Sequence, residues 1–252
     1  MRPRQGMRYS GYAMNFNDRI SAADYDRRLS AEGYPGGLVD YIERELDGCG
    51  SVIDVGAGTG FFAIPLAARG YTIDAVEPSM YMLEILQSKI DAATAPKIRL
   101  NNRTWEDWEG EKRDALICLH ALYPMRDPRA AIEKMTRYAD RRIILVRSDE
   151  GSRNLSGLLR EMTGKIRDGG PFIELIRKAL AGLDMPYYEE IVEQRRTSVF
   201  YDLDGEARYY CGHLGLKEDR LEWIRGIIER NTVRREGRFE FEGLYRDFMV
   251  TF

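Results

Sequence analysis

The sequence predicts an α/β fold built on a doubly wound, mainly parallel sheet of seven strands. Between Ser51 and Arg147, short runs rich in β-branched residues alternate with stretches of helical period. The first run, Val52-Ile-Asp-Val-Gly-Ala-Gly-Thr-Gly60, ends in three alternating glycines, the punctuation of a strand that turns tightly into a helix. Repeated strand–helix alternation places helices on both faces of a parallel sheet.

The 252 residues suit one large domain, or one domain carrying an insertion. A net charge of -3 and an isoelectric point near 5.7 argue against a general affinity for DNA or an anionic membrane. Cys49, Cys118 and Cys211 form no C-x-x-C and fit free thiols in a reducing compartment. With no membrane-spanning apolar run and no signal-peptide pattern, a cytoplasmic location is expected.

Residues 1–14 lack periodicity and read as a flexible tail, with Met14 an alternative start; 15–252 then make one domain. Tyr25, Leu29, Leu38, Tyr41, Ile42 and Leu46 recur at helical steps, so 15–47 form an N-terminal helical cap divided at Tyr34-Pro-Gly-Gly37. Ser51–Val55 is the first strand and Phe61–Arg69 the first covering helix, provided Pro65 lies in its first turn. Gly70 is a natural C-cap ahead of the second strand, Tyr71–Glu77, and Ser79 caps the next helix. Lys97–Leu100 and Asp114–His120 are strands three and four. Asp127 and Pro128 open a helix to Tyr138, and Arg141–Arg147 is strand five. Asn154–Ile166 and Phe172–Leu183 are amphipathic helices broken by Asp168-Gly-Gly-Pro171, a helical insertion over 148–186. Tyr187–Leu203 is rich in β-formers, Gly205–Gly215 and Lys217–Asn231 are helical, and Phe239–Phe252 is a last strand. The mixed charges of Arg230–Arg238 read as a solvated face.

A strand, a glycine turn and a helix start form a seat for a nucleotide-like ligand. A dinucleotide seat would carry G-x-G-x-x-G; here the spacing is G-x-G-x-G, and Asp54 stands two residues before the first glycine. A carboxylate there suits a ligand ammonium and gives a pyrophosphate nothing. Glu77, about twenty residues after the first glycine, suits the ribose diol of either ligand class.

Asp54, Gly56, Gly58 and Gly60 fill all four places of D-x-G-x-G-x-G, which resembles the first motif of the class I S-adenosylmethionine-dependent methyltransferases. Glu77-Pro-Ser-Met-Tyr-Met-Leu83 resembles the acid-x-S-x-x-M-L of the same family, and Ala22-Ala-Asp-Tyr-Asp26 its A-x-x-Y-D. The resemblance covers about 45–147 by motif and the rest by architecture. It implies S-adenosylmethionine as cofactor and S-adenosylhomocysteine as product. It also implies an antiparallel final strand and an acceptor pocket shaped by the 148–186 insertion.

By resemblance, Asp54, Gly56, Ala57, Gly58 and Gly60 cradle the cofactor and Glu77 holds its ribose. Pro78 and Met82 belong to the adenine side. Thr104, Trp105 and Glu106 occupy the adenine-recognition loop, although Thr104 departs from the acid common there. Leu119 and His120 end the strand beside the methyl group, and Tyr25 closes over the cofactor. His120 is a general base, a wall of the pocket or a plain structural residue, with Tyr123 and Tyr25 as positioning groups. The chain lacks the N/D-P-P-Y of the amino-methyltransferases of DNA and RNA, which favours a small-molecule acceptor, with no DNA and no membrane as partner. A tRNA or protein methyltransferase and a non-catalytic cofactor-binding protein stay open, as does the choice between monomer and homodimer.

Overall fold

The computed structural model describes residue 16 and residues 18–164 and 170–252. The expected tail, 1–14, lies outside them, as does Asp168-Gly169 of the expected helix break. Strands β1 (Ser51–Val55), β2 (Thr72–Val76), β3 (Ile98–Asn101), β4 (Arg113–Leu119), β5 (Ala139–Arg153), β6 (Tyr188–Phe200) and β8 (Arg238–Thr251) line up as β3-β2-β1-β4-β5-β8-β6. The first five are mutually parallel, and β8 runs antiparallel to both β5 and β6. The expected doubly wound sheet with an antiparallel last strand is the observed one. The order in which successive strands are added reverses between β1 and β4, the point where such sheets bind ligands beyond their carboxyl ends.

Alternation along each strand separates two cores. Val52, Ala115, Ile117, Ile143, Leu145 and Met249 point to the face covered by α2 (Leu38–Glu45), α3 (Ala63–Ala68) and α4 (Met80–Lys89). Ile53, Leu116, Cys118, Ile144, Val146 and Phe248 point to the face covered by α5 (Pro128–Tyr138) and α7 (Gly170–Gly182). A third cluster joins α6 (Leu155–Thr163), α8 (Leu203–His213) and α9 (Leu221–Asn231) through Leu159, Ala207, Ile224 and Ile228. Helix α1 (Arg19–Ala31) ties into that layer where the Arg28 guanidinium meets both carboxylate oxygens of Glu206 at 2.8 Å. Among the described residues, no helix is long and apolar enough to cross a membrane.

Several boundaries move for local reasons. α3 begins at Ala63 rather than Phe61, which puts Pro65 at its third residue, where a missing N–H has no intrahelical acceptor to lose. β5 continues to Arg153, past the expected start of the insertion at 148, because β8 keeps pairing with it across a register shift between Ser148 and Arg153. Of the two inserted helices, α7 packs on the sheet through Phe172, Ile176 and Leu180, beside Ile132 and Met135 of α5. The solvated stretch 230–238 contains an eighth strand, β7 (Val233–Arg235), hairpinned onto β8. Its turn is Glu236-Gly237, with φ of 48° and 80°, the pair of positive values a two-residue hairpin turn requires.

Candidate functional site

The glycine turn is held by its own backbone. The N–H groups of Gly56 and Ala57 both donate to the Val76 carbonyl, at 2.8 and 3.2 Å, so the loop folds back over the end of β2. At Gly56 φ is 76°, and a Cβ there would stand 2.3 Å from the Ala121 Cβ. Glycine is required on both counts. At Gly60 a Cβ would meet Leu86 Cγ at 2.8 Å, whereas at Gly58 the nearest atom is the Gly56 carbonyl oxygen at 4.0 Å, leaving open space beside the turn.

Glu77, at the end of β2, closes the loop from below. Its carboxylate accepts from Gly58 N–H at 3.0 Å and from Ser79 N–H at 2.8 Å. Burial pushes its pKa up and these two bonds pull it back. A carboxylate offers about four lone-pair directions, so capacity remains for a diol. Asn102, which the sequence did not mark, braces the same corner by donating to the carbonyls of Glu77 and Pro78 at 3.1 and 2.9 Å. Pro78 is exposed above it, while Met82 is 2% exposed under the α4 cap made by Ser79.

Asp54 is different in kind. Its side chain is buried, and Oδ2 has no hydrogen-bond partner. Burial, with the Glu77 charge added, pushes its pKa up to about 7. An orphaned buried carboxylate is costly, about 1–3 kcal/mol or more. A cationic group delivered to this position would remove that cost, and the ammonium of S-adenosylmethionine fits the residues present.

Strand β4 ends at Leu119, buried, and the chain turns at His120 in the left-handed region, φ 58°. For a residue with a Cβ this costs roughly 1–2 kcal/mol, and the His120 N–H bond to Leu145 O at 2.8 Å holds it. His120 Nε2 is buried without a hydrogen bond, 3.6 Å from Asp247 Oδ2. Burial pushes the imidazole pKa down, with Asp247 opposing and Arg147 and Arg196 reinforcing, so at neutral pH it is unprotonated. Asp247 is fully buried; burial works against its ionisation, but His120, Arg147 and Arg196 hold it down at about 2. With the imidazole neutral, the two arginines remain as its counter-charges.

The other expected residues divide. Tyr25 packs edge-on against Phe16 and Phe61, with ring centroids 5.0 and 6.4 Å away, and feels Glu77 on one side and Arg147 and Arg196 on the other. Burial raises its phenol to about 12, so it stays protonated. The Tyr123 hydroxyl accepts the Arg147 backbone N–H at 2.5 Å, and its ring packs on Phe172. The Trp105 indole belongs to the core, stacked on Trp108 and donating to the Ala131 carbonyl at 3.1 Å. The Thr104 hydroxyl is engaged with Asp107 at 2.9 Å, and Glu106 accepts from Arg126 N–H at 3.1 Å. Local polar bonds and the α5 contact thus claim all three side chains of this loop.

In sequence, the chain is similar to known proteins over half its length or less. The profile of the methyltransferase domain family matches residues 52–141. YqeM of Bacillus subtilis, provisionally named a methyltransferase, is 26% identical over 129 residues, 50% of this chain and 48% of that protein. The chloroplast magnesium protoporphyrin IX methyltransferase of Arabidopsis thaliana is 33% identical over 109 residues, 41% of this chain and 34% of that one. The match therefore spans less than half the length of these curated relatives. In fold, a solved Anabaena variabilis structure, provisionally named a methyltransferase of antibiotic biosynthesis, superposes with a TM-score of 0.59 at 17% identity, covering 85% of this chain and 96% of that one.

Proposed function

We propose that this chain, a class I methyltransferase of Rossmann-like fold by its residues 52–141, transfers a methyl group from S-adenosylmethionine to a small-molecule acceptor. The observation that carries this reading is the buried Asp54 carboxylate, just before the glycine turn, whose Oδ2 has no hydrogen-bond partner. It suits a ligand bearing an ammonium and would repel a pyrophosphate. In this reading Asp54 takes the ammonium and Glu77 the ribose diol. Gly56, Ala57, Gly58 and Gly60 bring backbone close to the ligand, Pro78 and Met82 flank the adenine, and Leu119 and His120 wall the reacting end. The backbone of Thr104, Trp105 and Glu106 remains as the adenine edge.

When bound, the sulfonium supplies an already activated methyl group, so the protein's main task is alignment. Holding two reactants in line is worth up to about 7–11 kcal/mol of a barrier. Tyr25 and Tyr34 contribute aromatic walls that exclude water, Tyr34 lying 5.1 Å from the Phe61 ring and 6.4 Å from His120. The unprotonated imidazole of His120 can accept a proton from an acceptor hydroxyl or amine.

Titration calorimetry with S-adenosylmethionine, S-adenosylhomocysteine and NAD tests the assignment: saturable binding of the first two without the third is expected, and binding of NAD alone overturns it. Glu77→Ala should weaken S-adenosylmethionine binding by about tenfold or more, since it loses a charge-assisted bond to the ligand and the tie to Gly58. Unchanged affinity in the folded variant would remove Glu77 from the site. His120→Ala should leave cofactor affinity in place and slow turnover by about a hundredfold or more if the imidazole takes a proton. Turnover at the wild-type rate would leave it a wall.

A further inference from the structure

Beyond the apolar row Leu119, Leu145 and Met249, the same face of the sheet changes character. The next side chains on that face are Arg147 on β5, Asp247 and Tyr245 on β8, and Gln194 and Arg196 on β6, brought level by the antiparallel register. Two guanidinium groups therefore stand in the layer that holds His120. The Arg196 side chain is 4% exposed, yet Nε and both Nη atoms lack a hydrogen-bond partner. Its flat face lies on the Tyr245 ring at 3.7 Å and nears the Tyr34 ring at 5.1 Å, and Glu32 approaches Nη1 only to 3.8 Å. Glu32 spends its oxygens instead on the hydroxyls of Ser198 and Tyr245, at 2.9 and 3.3 Å. Arg147 Nη1 is likewise buried without a hydrogen bond, 3.4 Å from Asp247 Oδ1, and its guanidinium lies over Tyr245 at 5.1 Å. Two guanidinium groups that share the Tyr245 ring, with Arg196 Nε, Nη1 and Nη2 and Arg147 Nη1 lacking a hydrogen bond, carry the donors that recognise a planar oxyanion.

We infer that the acceptor of the proposed methyl transfer carries a carboxylate, held by Arg196 and Arg147, which makes this pair the specificity-determining residues of the site. The inference rests on the methyltransferase reading above. Formal charge favours a monoanion: Asp247 and Glu32 already match the two guanidinium charges, so a carboxylate leaves one unmatched negative charge and a phosphate dianion leaves two. The pair stands beside His120, whose Nε2 lies 3.6 Å from the same Asp247 carboxylate that Arg147 approaches to 3.4 Å.

The test uses the full chain saturated with S-adenosylhomocysteine and titrated calorimetrically with benzoate, benzamide and phenyl phosphate, aromatic probes that match the tyrosine walls. Benzoate is expected to bind saturably, with benzamide and phenyl phosphate each about tenfold weaker or more. Arg196→Met and Arg147→Met should each weaken benzoate by about tenfold or more with S-adenosylhomocysteine affinity unchanged, and Arg196→Lys should restore part of the loss in its own chain. Benzamide as tight as benzoate, or no saturable benzoate binding to the loaded chain, overturns the inference; phenyl phosphate as the tighter ligand overturns the carboxylate assignment. The wild-type probe comparison decides even if a variant fails to fold. Failure of S-adenosylhomocysteine itself to bind is a separate result that strikes the underlying cofactor reading.

Discussion

Replacing Asp54 with alanine is expected to weaken S-adenosylmethionine binding by about tenfold or more, the loss of a charge-assisted bond worth roughly 1.5–3 kcal/mol. The same position should show the opposite effect on the empty protein. Oδ2 is buried without a partner, so Asp54→Asn removes a charge the fold does not satisfy. The cofactor-free Asn variant should melt higher than wild type and bind the cofactor more weakly. A variant that melts lower would mean that Asp54 stabilises the fold through a bond and is not reserved for a ligand.

The pH dependence follows with a definite sign. With a folded pKa pushed up to about 7, Asp54 binds its proton more tightly in the folded state than in the unfolded chain, where the ordinary value is 3.8. Its contribution to stability is therefore fully present below the unfolded value and is lost as pH rises towards about 7. The melting temperature of the cofactor-free wild type should fall relative to Asp54→Asn as pH is raised from about 5 to about 8. Affinity for the cofactor should run the other way, weakening as pH drops below about 7, because the proton must leave Asp54 before an ammonium can pair with it. A pH-independent difference between the two proteins would place the Asp54 carboxyl in a solvated, ordinary environment.

Gly56→Ala is expected to be the most damaging single methyl group that can be added to the chain's glycine turn. The added Cβ would stand 2.3 Å from the Ala121 Cβ, in a backbone with φ of 76°. Left-handed strain of roughly 1–2 kcal/mol and overpacking of roughly 1–3 kcal/mol act together, less the roughly 0.4–1 kcal/mol by which alanine stiffens the unfolded chain. A net loss of about 2–4 kcal/mol by urea denaturation is expected, with cofactor binding abolished because relief requires the loop to lift from the Val76 carbonyl. Gly58→Ala is the internal control: φ is 54° but no atom lies closer than 4.0 Å, so only the strain remains. Equal losses at the two positions would show that the clash with Ala121 is relieved by a small shift and does not shape the turn.

The order of these effects reflects what was written locally in the chain. The glycine turn, Asp54 and Glu77 were legible in the sequence because they belong to one strand–turn–helix–strand unit, in which spacing alone dictates which groups meet. The doubly wound sheet was legible for the same reason, since each strand announces itself by a short β-branched run and each helix by its caps, as Ser79 and Asp127 do. The adenine loop was less legible: Trp105 reads as a rim residue or a core residue equally well until the Ala131 carbonyl is placed against its indole. The short strand β7 hid in a run of charges because its Glu236-Gly237 turn carries no apolar alternation beside it.

The acceptor side was decided by tertiary structure alone. Arg147, Arg196, Asp247 and Tyr34 come from three strands and a loop far apart in the chain, and nothing in their local sequence relates them. Only the antiparallel insertion of β8 between β5 and β6 sets Arg147 opposite Asp247 and turns Arg196 to the same face. A slip of one residue in that register would turn the whole set to the opposite face of the sheet. The sequence by itself thus determined the fold and the cofactor seat, through contacts made within one supersecondary unit. The buried charge cluster of Arg147, Arg196 and Asp247 was determined by long-range strand pairing, because only that pairing brings these side chains to one face of the sheet away from water.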